Sequence, residues 1–239
     1  MDEPILTMEE REAINNGRWF SSLSPSLRHD ILRCAYVKRY RDGDMIAARG
    51  DPPEVWIACA KGAVRVSSTS VSGKQITLTY VEPGIWFGDV AIFDGDRRTH
   101  DCYAHGETTI LNVAKADFKK ILSQHVEFYE AMLRLHARRI RQLYGLVEDL
   151  NTLPLRARLA KQLNHLVRSY GTPSLSDAKA IRISLLLAQE ELAQLLGASR
   201  QRVNQELKQM EREHIIRIEP GGLVVLDREG LIQIVNADH

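Results

Sequence analysis

Residues 189–208 read QEELAQLLGASRQRVNQELK, from Gln189 to Lys208, and this stretch decides how the C-terminal half folds. Two helices crossing at a tight turn need a small residue at the crossing, a turn residue that tolerates positive φ, and an apolar anchor on the second helix, at set offsets. Ala193, Gly197 and Val203 meet these needs, Leu192, Leu196 and Leu207 add buried positions, and Ser199 stands as an N-cap ahead of the second helix. The spacing predicts a helix-turn-helix, with an ordinary helical hairpin as the alternative. The segment HIIRIEPGGLVVLD disfavours the hairpin, because it predicts strands over Ile215–Ile218 and Leu223–Leu226 around Glu219-Pro220-Gly221-Gly222, the hairpin of a winged helix. On the second helix Arg200, Gln201, Asn204, Gln205 and Lys208 fall three and four apart, opposite Val203 and Leu207. With Ser199 they are the candidate contacts to double-stranded DNA. Arg can donate two parallel hydrogen bonds to guanine, and Gln or Asn can pair with adenine in the major groove. A merely solvated face would carry Glu and Lys instead.

Upstream, Tyr36 to Ala114 reads as short strands punctuated by Gly43, Gly50, Gly62, Gly73, Gly84, Gly88 and Gly95, which favours an all-β sandwich or barrel. Val64 and Val66, then Ile76, Leu78 and Tyr80, alternate as the buried faces of two strands joined by a loop with Ser72 and Gly73. Helical spacing begins at Lys115, with a short helix to Ile121 and a long one over Val126–Leu150. In the long helix Leu133, Ala137, Ile140, Tyr144 and Val147 step by four and three, the seam of a coiled coil, while Arg134, Arg138 and Arg141 lie off it. A helix of this length extends roughly 37 Å, more than a small β-domain needs to cover its core, so a homodimer is expected. A single amphipathic helix lying on its own domain would show a wider apolar stripe. The run DLNTLP, Asp149 to Pro154, predicts a domain boundary; beyond it Leu155, Leu159, Leu163 and Leu166 share one helix side, and SYGTPSLSDAKA reads as a polar loop.

The bulk numbers constrain function mainly by exclusion. A hydrophobic content of 44% supports real cores, and 32 Lys plus Arg against 31 Asp plus Glu leave a net charge of +1 that neither supports nor excludes nucleic acid, so local charge must decide. Cys34, Cys59 and Cys102 are too far apart for a metal site or disulfide framework, which points to a reducing cytoplasm. The acidic N-terminus lacks a signal-peptide stretch and no apolar run reaches membrane-spanning length, so no membrane partner is expected. No Ser-His-Asp, paired-carboxylate or metal-ligand constellation has usable spacing, and an enzyme is not expected. His100, His105, His125 and His136 read as surface or hydrogen-bonded histidines rather than haem ligands.

Taken in this order, the β-rich segment, seam helix and winged helix resemble the cyclic-AMP receptor and fumarate-nitrate regulator family of bacterial transcription factors over nearly the full length. The resemblance implies an α+β chain: an N-terminal β-roll sensory domain of cyclic-nucleotide-binding type over 1–125, a dimerisation helix over 126–150 and a winged helix-turn-helix domain over 151–239. PGIWFGDVAIFDGDRRTHDCYA, Pro83 to Ala104, looks like the family's phosphate-binding cassette, with Gly88-Asp89 and Arg98-Thr99 as its two pairs. Gly88 can free backbone N–H groups for an anion, Arg98 adds a charge-assisted fork, Thr99 a hydroxyl, and Asp89 can accept from a ribose hydroxyl. Alternatively, Arg98 is a loop arginine paired with Asp94 or Asp96. Asp89 stands where cyclic-nucleotide-binding members usually have Glu, and His100 where they commonly have Ala. The adenine-binding pair of the cyclic-AMP receptor falls on Leu143 and Tyr144, which departs from its pattern and points to a cyclic nucleotide other than cyclic AMP. Arg97, Arg138, Arg139 and Arg141 offer enough cations for cyclic di-GMP, unless they are solvated or paired with acids. No iron–sulfur, covalent or metal cofactor is implied; RNA polymerase is implied as a further partner.

Overall fold

The computed structural model describes residues 5–70, 75–174, 180–220 and 222–237, and the chain divides into two compact units, Met1–Ile140 and Arg141–His239. The first unit opens with α1 (Met8–Asn16) and α2 (Pro25–Arg33), followed by β1 (Ala35–Tyr40), β2 (Met45–Ala47), β3 (Val55–Thr69), β4 (Gln75–Val81) and β5 (Trp86–Phe87). A short helix α3 (Val90–Asp94) leads to β6 (Asp101–Ala114), α4 (Lys115–Gln124) and α5 (Val126–Thr152). The strands pair antiparallel in the order β1-β6-β3-β4, with β2 on β6 and β5 on β3.

The alternation expected in β4 is not what the chain does. Ile76 and Leu78 are exposed and Thr77 points inward, although Tyr80 is buried as expected. The cause is a bulge in β4 itself: Val66 and Ser67 are neighbours on β3 but pair with Thr79 and Thr77, so Leu78 is an extra residue and the faces reverse there. Ser72 and Gly73 of the expected loop lie outside the described residues.

Trp19, Phe20, Trp56, Trp86, Phe118 and Phe128 form the centre of the core between the sheet and the helices, with the Trp56 and Trp86 rings 4.1 Å apart. α5 enters this core through Phe128, Ala131 and Met132, while Leu133, Ile140, Leu143, Tyr144 and Val147 are exposed along its length. Burial pushes the Cys59 thiol up to about 12 and the Cys102 thiol up to about 11, so both behave as small apolar groups.

Glu10 ties α1 to the sheet. It caps its own helix by accepting from the Thr7 amide at 2.8 Å, and it takes Arg39 Nη1 and Thr109 Oγ1, each at 2.7 Å. Burial raises its pKa, but the hydrogen bonds from Arg39, Thr109 and Thr7 outweigh it and hold the carboxyl at about 2. Because the folded value lies below the unfolded one, this stability is fully present above about pH 4.5 and is lost as pH falls toward 2. Urea titrations should therefore show about 2–3 kcal/mol of acid-dependent loss, with the Arg39 side partly screened, and Glu10→Gln should flatten that dependence. An unchanged acid limb in the variant would assign the loss to other carboxylates.

The second unit contains α6 (Leu155–Tyr170), β7 (Gly171–Pro173), β8 (Ile181–Ile183), α7 (Gln189–Leu195), α8 (Arg200–Arg212), β9 (Ile216–Glu219), β10 (Gly222–Val225) and α9 (Arg228–Ala237). Leu155, Leu159, Leu163 and Leu166 are buried on one side of α6, as their spacing requires. The stretch read as a polar loop is not all loop: α6 runs through Tyr170, and β7 and β8 add two strands to the wing, giving the order β7-β8-β10-β9. Residues 175–179 of that stretch lie outside the described residues.

Candidate functional site

The two ends of the cassette meet. Gly88 sits at φ +82, a conformation that favours glycine, and a Cβ there would stand 3.0 Å from Arg98 Nη1. Arg98 reaches over from the far end of the cassette and donates through Nη2 to the Val55 carbonyl at 2.7 Å, rather than pairing with Asp94 or Asp96. Burial lowers its pKa from the usual arginine value, yet a guanidinium stays protonated. Thr99 Oγ1 lies 2.8 Å from His100 Nδ1, and burial lowers the pKa of that imidazole. A guanidinium and a Cβ-free backbone thus come together, the two kinds of donor an anion would need.

Asp89 was expected to face a ribose, but it is fully buried. His136 Nε2 lies 2.6 Å from Oδ2, and Arg139 Nη1 donates to both carboxylate oxygens at 2.9 and 3.1 Å. Arg139 also donates to the Trp86 carbonyl. Burial would raise the Asp89 carboxyl; the His136 hydrogen bond and the Arg139 charge outweigh it and hold it below the usual carboxylate range. His136 and Arg139 are one turn apart on α5, so a single cassette residue grips that helix at two points. Spacing gave no sign of these partners. Arg97 donates to the Gly50 carbonyl at 2.7 Å, as Arg98 does to Val55, while Arg139 is committed to Asp89, so one of the arginines counted toward a second phosphate is paired with an acid. Leu143 and Tyr144 are 60% and 72% exposed on α5, in the second compact unit.

The helix-turn-helix forms as its offsets require. Ala193 is 1% exposed and Val203 fully buried, Gly197 takes φ +60, and the Ser199 hydroxyl accepts from the Arg202 amide at 3.3 Å as the N-cap of α8. Arg158 Nη1 donates to the Leu196 carbonyl at 2.8 Å and fixes the turn from α6. Ser199, Arg200, Gln201, Gln205 and Lys208 are exposed, whereas Asn204 is half-buried and its Oδ1 accepts from Gln189 Nε2 at 3.3 Å. The acids of α8 turn toward protein. Glu206 pairs with Arg156 at 3.7 Å, and Glu211 accepts from the Ile218 amide at 2.8 Å. Glu213, just past the helix, also pairs with Arg156. Arg200, Arg202 and Lys208 make no ion pair among the described residues, so the exposed face is cationic although the chain is nearly neutral. Arg202 is exposed too, but two residues on from Arg200 it lies on another side of the helix. The wing strands pair Gly222 with Glu219 and Val225 with Ile216; Gly221 lies outside the described residues.

Comparison with known proteins follows the same division. The cyclic nucleotide-binding domain family matches residues 37–125, and the Crp-like helix-turn-helix domain family matches residues 157–234. The chain is 29% identical over 212 residues to the CRP-like cAMP-activated global transcriptional regulator of Mycobacterium tuberculosis, covering 89% of this chain and 93% of that one. Among solved structures, FixK2 from Bradyrhizobium japonicum shares the fold with a TM-score of 0.73 at 20% identity, covering 84% and 96% of the two chains. A transcriptional regulator of the CRP family from Thermus thermophilus gives a TM-score of 0.69 at 25% identity, with 83% and 96% covered. With a cyclic nucleotide-binding domain ahead of a Crp-like helix-turn-helix, and relatives of this kind along most of its length, the chain belongs to the CRP/FNR family of DNA-binding transcription regulators, which are not enzymes.

Proposed function

We propose that the protein works in the cytoplasm as a homodimer whose sensory domain binds a cyclic mononucleotide and thereby gates binding of its winged helices to a pseudo-palindromic operator, where it meets RNA polymerase. The observation that carries the effector reading is the meeting of Gly88 with the Arg98 guanidinium in the domain that the cyclic nucleotide-binding family matches. The ion pair of Arg139 with Asp89 removes one of the cations that the two phosphates of cyclic di-GMP would call on. The Mycobacterium relative is named as cAMP-activated. Leu143, at the position that the family resemblance gives to an adenine contact, has no polar group to offer, and an exocyclic amine buried without a partner weakens binding roughly ten- to a hundredfold. Calorimetry with cyclic AMP, cyclic GMP and cyclic di-GMP tests this: a cyclic mononucleotide should bind, cyclic AMP should not be the tightest, and Arg98→Ala should weaken binding about tenfold or more. Binding unaffected by Arg98→Ala would remove that meeting point from the site.

A second reading, an effector-independent DNA-binding protein with a vestigial pocket, is favoured by Asp89, whose carboxylate is fully buried and already held by His136 and Arg139. Operator binding by nucleotide-free protein, unchanged by any of the three ligands, would select it.

At the DNA, Arg200→Ala should cost about 1–3 kcal/mol and relax the choice at one guanine, whereas Lys208→Ala should weaken all sequences alike and flatten the salt slope by about one. Gln201 and Gln205 replace the Glu and Arg that read the inner G·C pair in the cyclic-AMP receptor, so selection should return a weaker preference there. A strongly required inner G·C pair would count against these assignments.

A further inference from the structure

The wing sheet carries a charge cluster of its own. Arg182 of β8 pairs with Val224 of β10, Val224 pairs in turn with Arg217 of β9, and Gly222 of β10 faces Glu219 of β9. Residues opposed in this way share a face, so Arg182, Arg217 and Glu219 stand on one side of the sheet. Ile216 and Val225, on the other side, are buried. Val224, between the two arginines, is buried as well, which fits aliphatic arginine stems lying over it. Glu219 spans both guanidiniums. Its Oε2 takes Arg182 Nη1 at 2.6 Å and its Oε1 takes Arg217 Nε at 2.8 Å. Arg182 crosses β10 at Gly222, where a Cβ would stand 3.5 Å from its Nη2. The side chains of Arg182, Arg217 and Glu219 are 39%, 38% and 26% exposed, so the cluster is open to solvent.

This face adjoins α8. Arg200, Asn204, Lys208 and Glu211 step by four, four and three along one flank of that helix, and Glu211 accepts from the Ile218 amide at 2.8 Å. The edge of β9 therefore lies against the flank that carries three of the candidate DNA contacts, with Arg217 and Glu219 on either side of Ile218 in the chain. We propose that Glu219 restrains the sequence-independent affinity of the protein: Arg182 and Arg217 face DNA phosphates, and the carboxylate between them withholds part of their charge. The inference rests on α8 as the helix that meets DNA. Phosphate contacts strengthen binding to every duplex alike, so a carboxylate that offsets them lowers occupancy of arbitrary sequence.

The test is fluorescence anisotropy of the full-length protein with a labelled duplex of arbitrary sequence over a range of salt concentrations. Glu219→Gln, which keeps the side chain's shape, should tighten binding about three- to tenfold at about 0.1 M salt and steepen the salt slope by about one. Arg182→Gln with Arg217→Gln leaves the carboxylate alone before the phosphates and should weaken binding about threefold or more. In that background Glu219→Gln should not tighten binding beyond wild type. Should Glu219→Gln unsettle the wing, the arginine pair decides alone, and unaltered binding there overturns the proposal. Weaker binding by Glu219→Gln would make the carboxylate a support for the arginines rather than a restraint. Tightening that persists without the arginines would be a loss of charge acting at a distance. Either result overturns the proposal. Lys208→Ala is titrated alongside: if it flattens the slope while Glu219→Gln changes nothing, the restraint falls and α8 stands, and if neither variant moves the slope, both fall.

Discussion

Arg139→Leu is expected to destabilise the sensory unit by about 3–5 kcal/mol, the loss typical when one partner is taken from a buried charge pair. Asp89 is fully buried, and without Arg139 it would keep His136 as its remaining side-chain partner while the Trp86 carbonyl lost its donor. The size of the effect comes mostly from the stranded carboxylate rather than from the worth of the pair. A double change, Asp89→Leu with Arg139→Leu, should therefore recover most of the loss, since apolar replacement of both partners is often neutral. Urea denaturation of the two variants measures this. A single variant that loses under about 1 kcal/mol would mean that water reaches Asp89 and the clamp is not dry.

For Ile140→Glu the expected result is a monomer whose operator affinity falls about 10²–10⁴-fold. In a dimer the second winged helix finds its half-site as an intramolecular event, and that advantage disappears with the partner. Ile140 is 49% exposed in the single chain, so a glutamate there costs the fold of one protomer little, whereas in the proposed seam it would be an unpaired charge against Leu133, Tyr144 and Val147 of a second helix. Sedimentation reports the oligomeric state, and titration with a single half-site shows whether the DNA-binding unit itself is intact. A variant that remains fully dimeric removes this stripe as the interface.

The helix-turn-helix was legible because its requirements are local: Ala193, Gly197 and Val203 lie within eleven residues of one another and each answers a steric demand. The cassette was legible in its ends, Gly88 and Arg98, for a similar reason. The fate of Asp89 was not, because its partners stand 47 and 50 residues away, and nothing in a nearest-neighbour pattern selects His136 and Arg139 from the other charged residues of α5. Alternation misled in β4 because Leu78 is an extra residue opposite the Val66–Ser67 step of β3, a bulge that strict period-two spacing does not reveal. β7 escaped notice because Gly171 and Pro173 carry the chemistry of a turn and pair only as a short stretch beside β8.

The aromatic core has a spectroscopic consequence. All three tryptophans of the chain, Trp19, Trp56 and Trp86, belong to the one cluster in the sensory unit, and the DNA-binding unit has none. Intrinsic tryptophan emission is therefore a label for one half of the molecule that needs no engineering, while far-ultraviolet dichroism sees both halves. If the units unfold separately, the two signals will part during denaturation, and the emission trace will isolate the response to changes at Asp89 and Arg139 that dichroism blends with the other half. Quenching or a wavelength shift on adding DNA would then report a change relayed into the sensory unit, because the unit that carries the recognition helix holds no fluorophore of this kind.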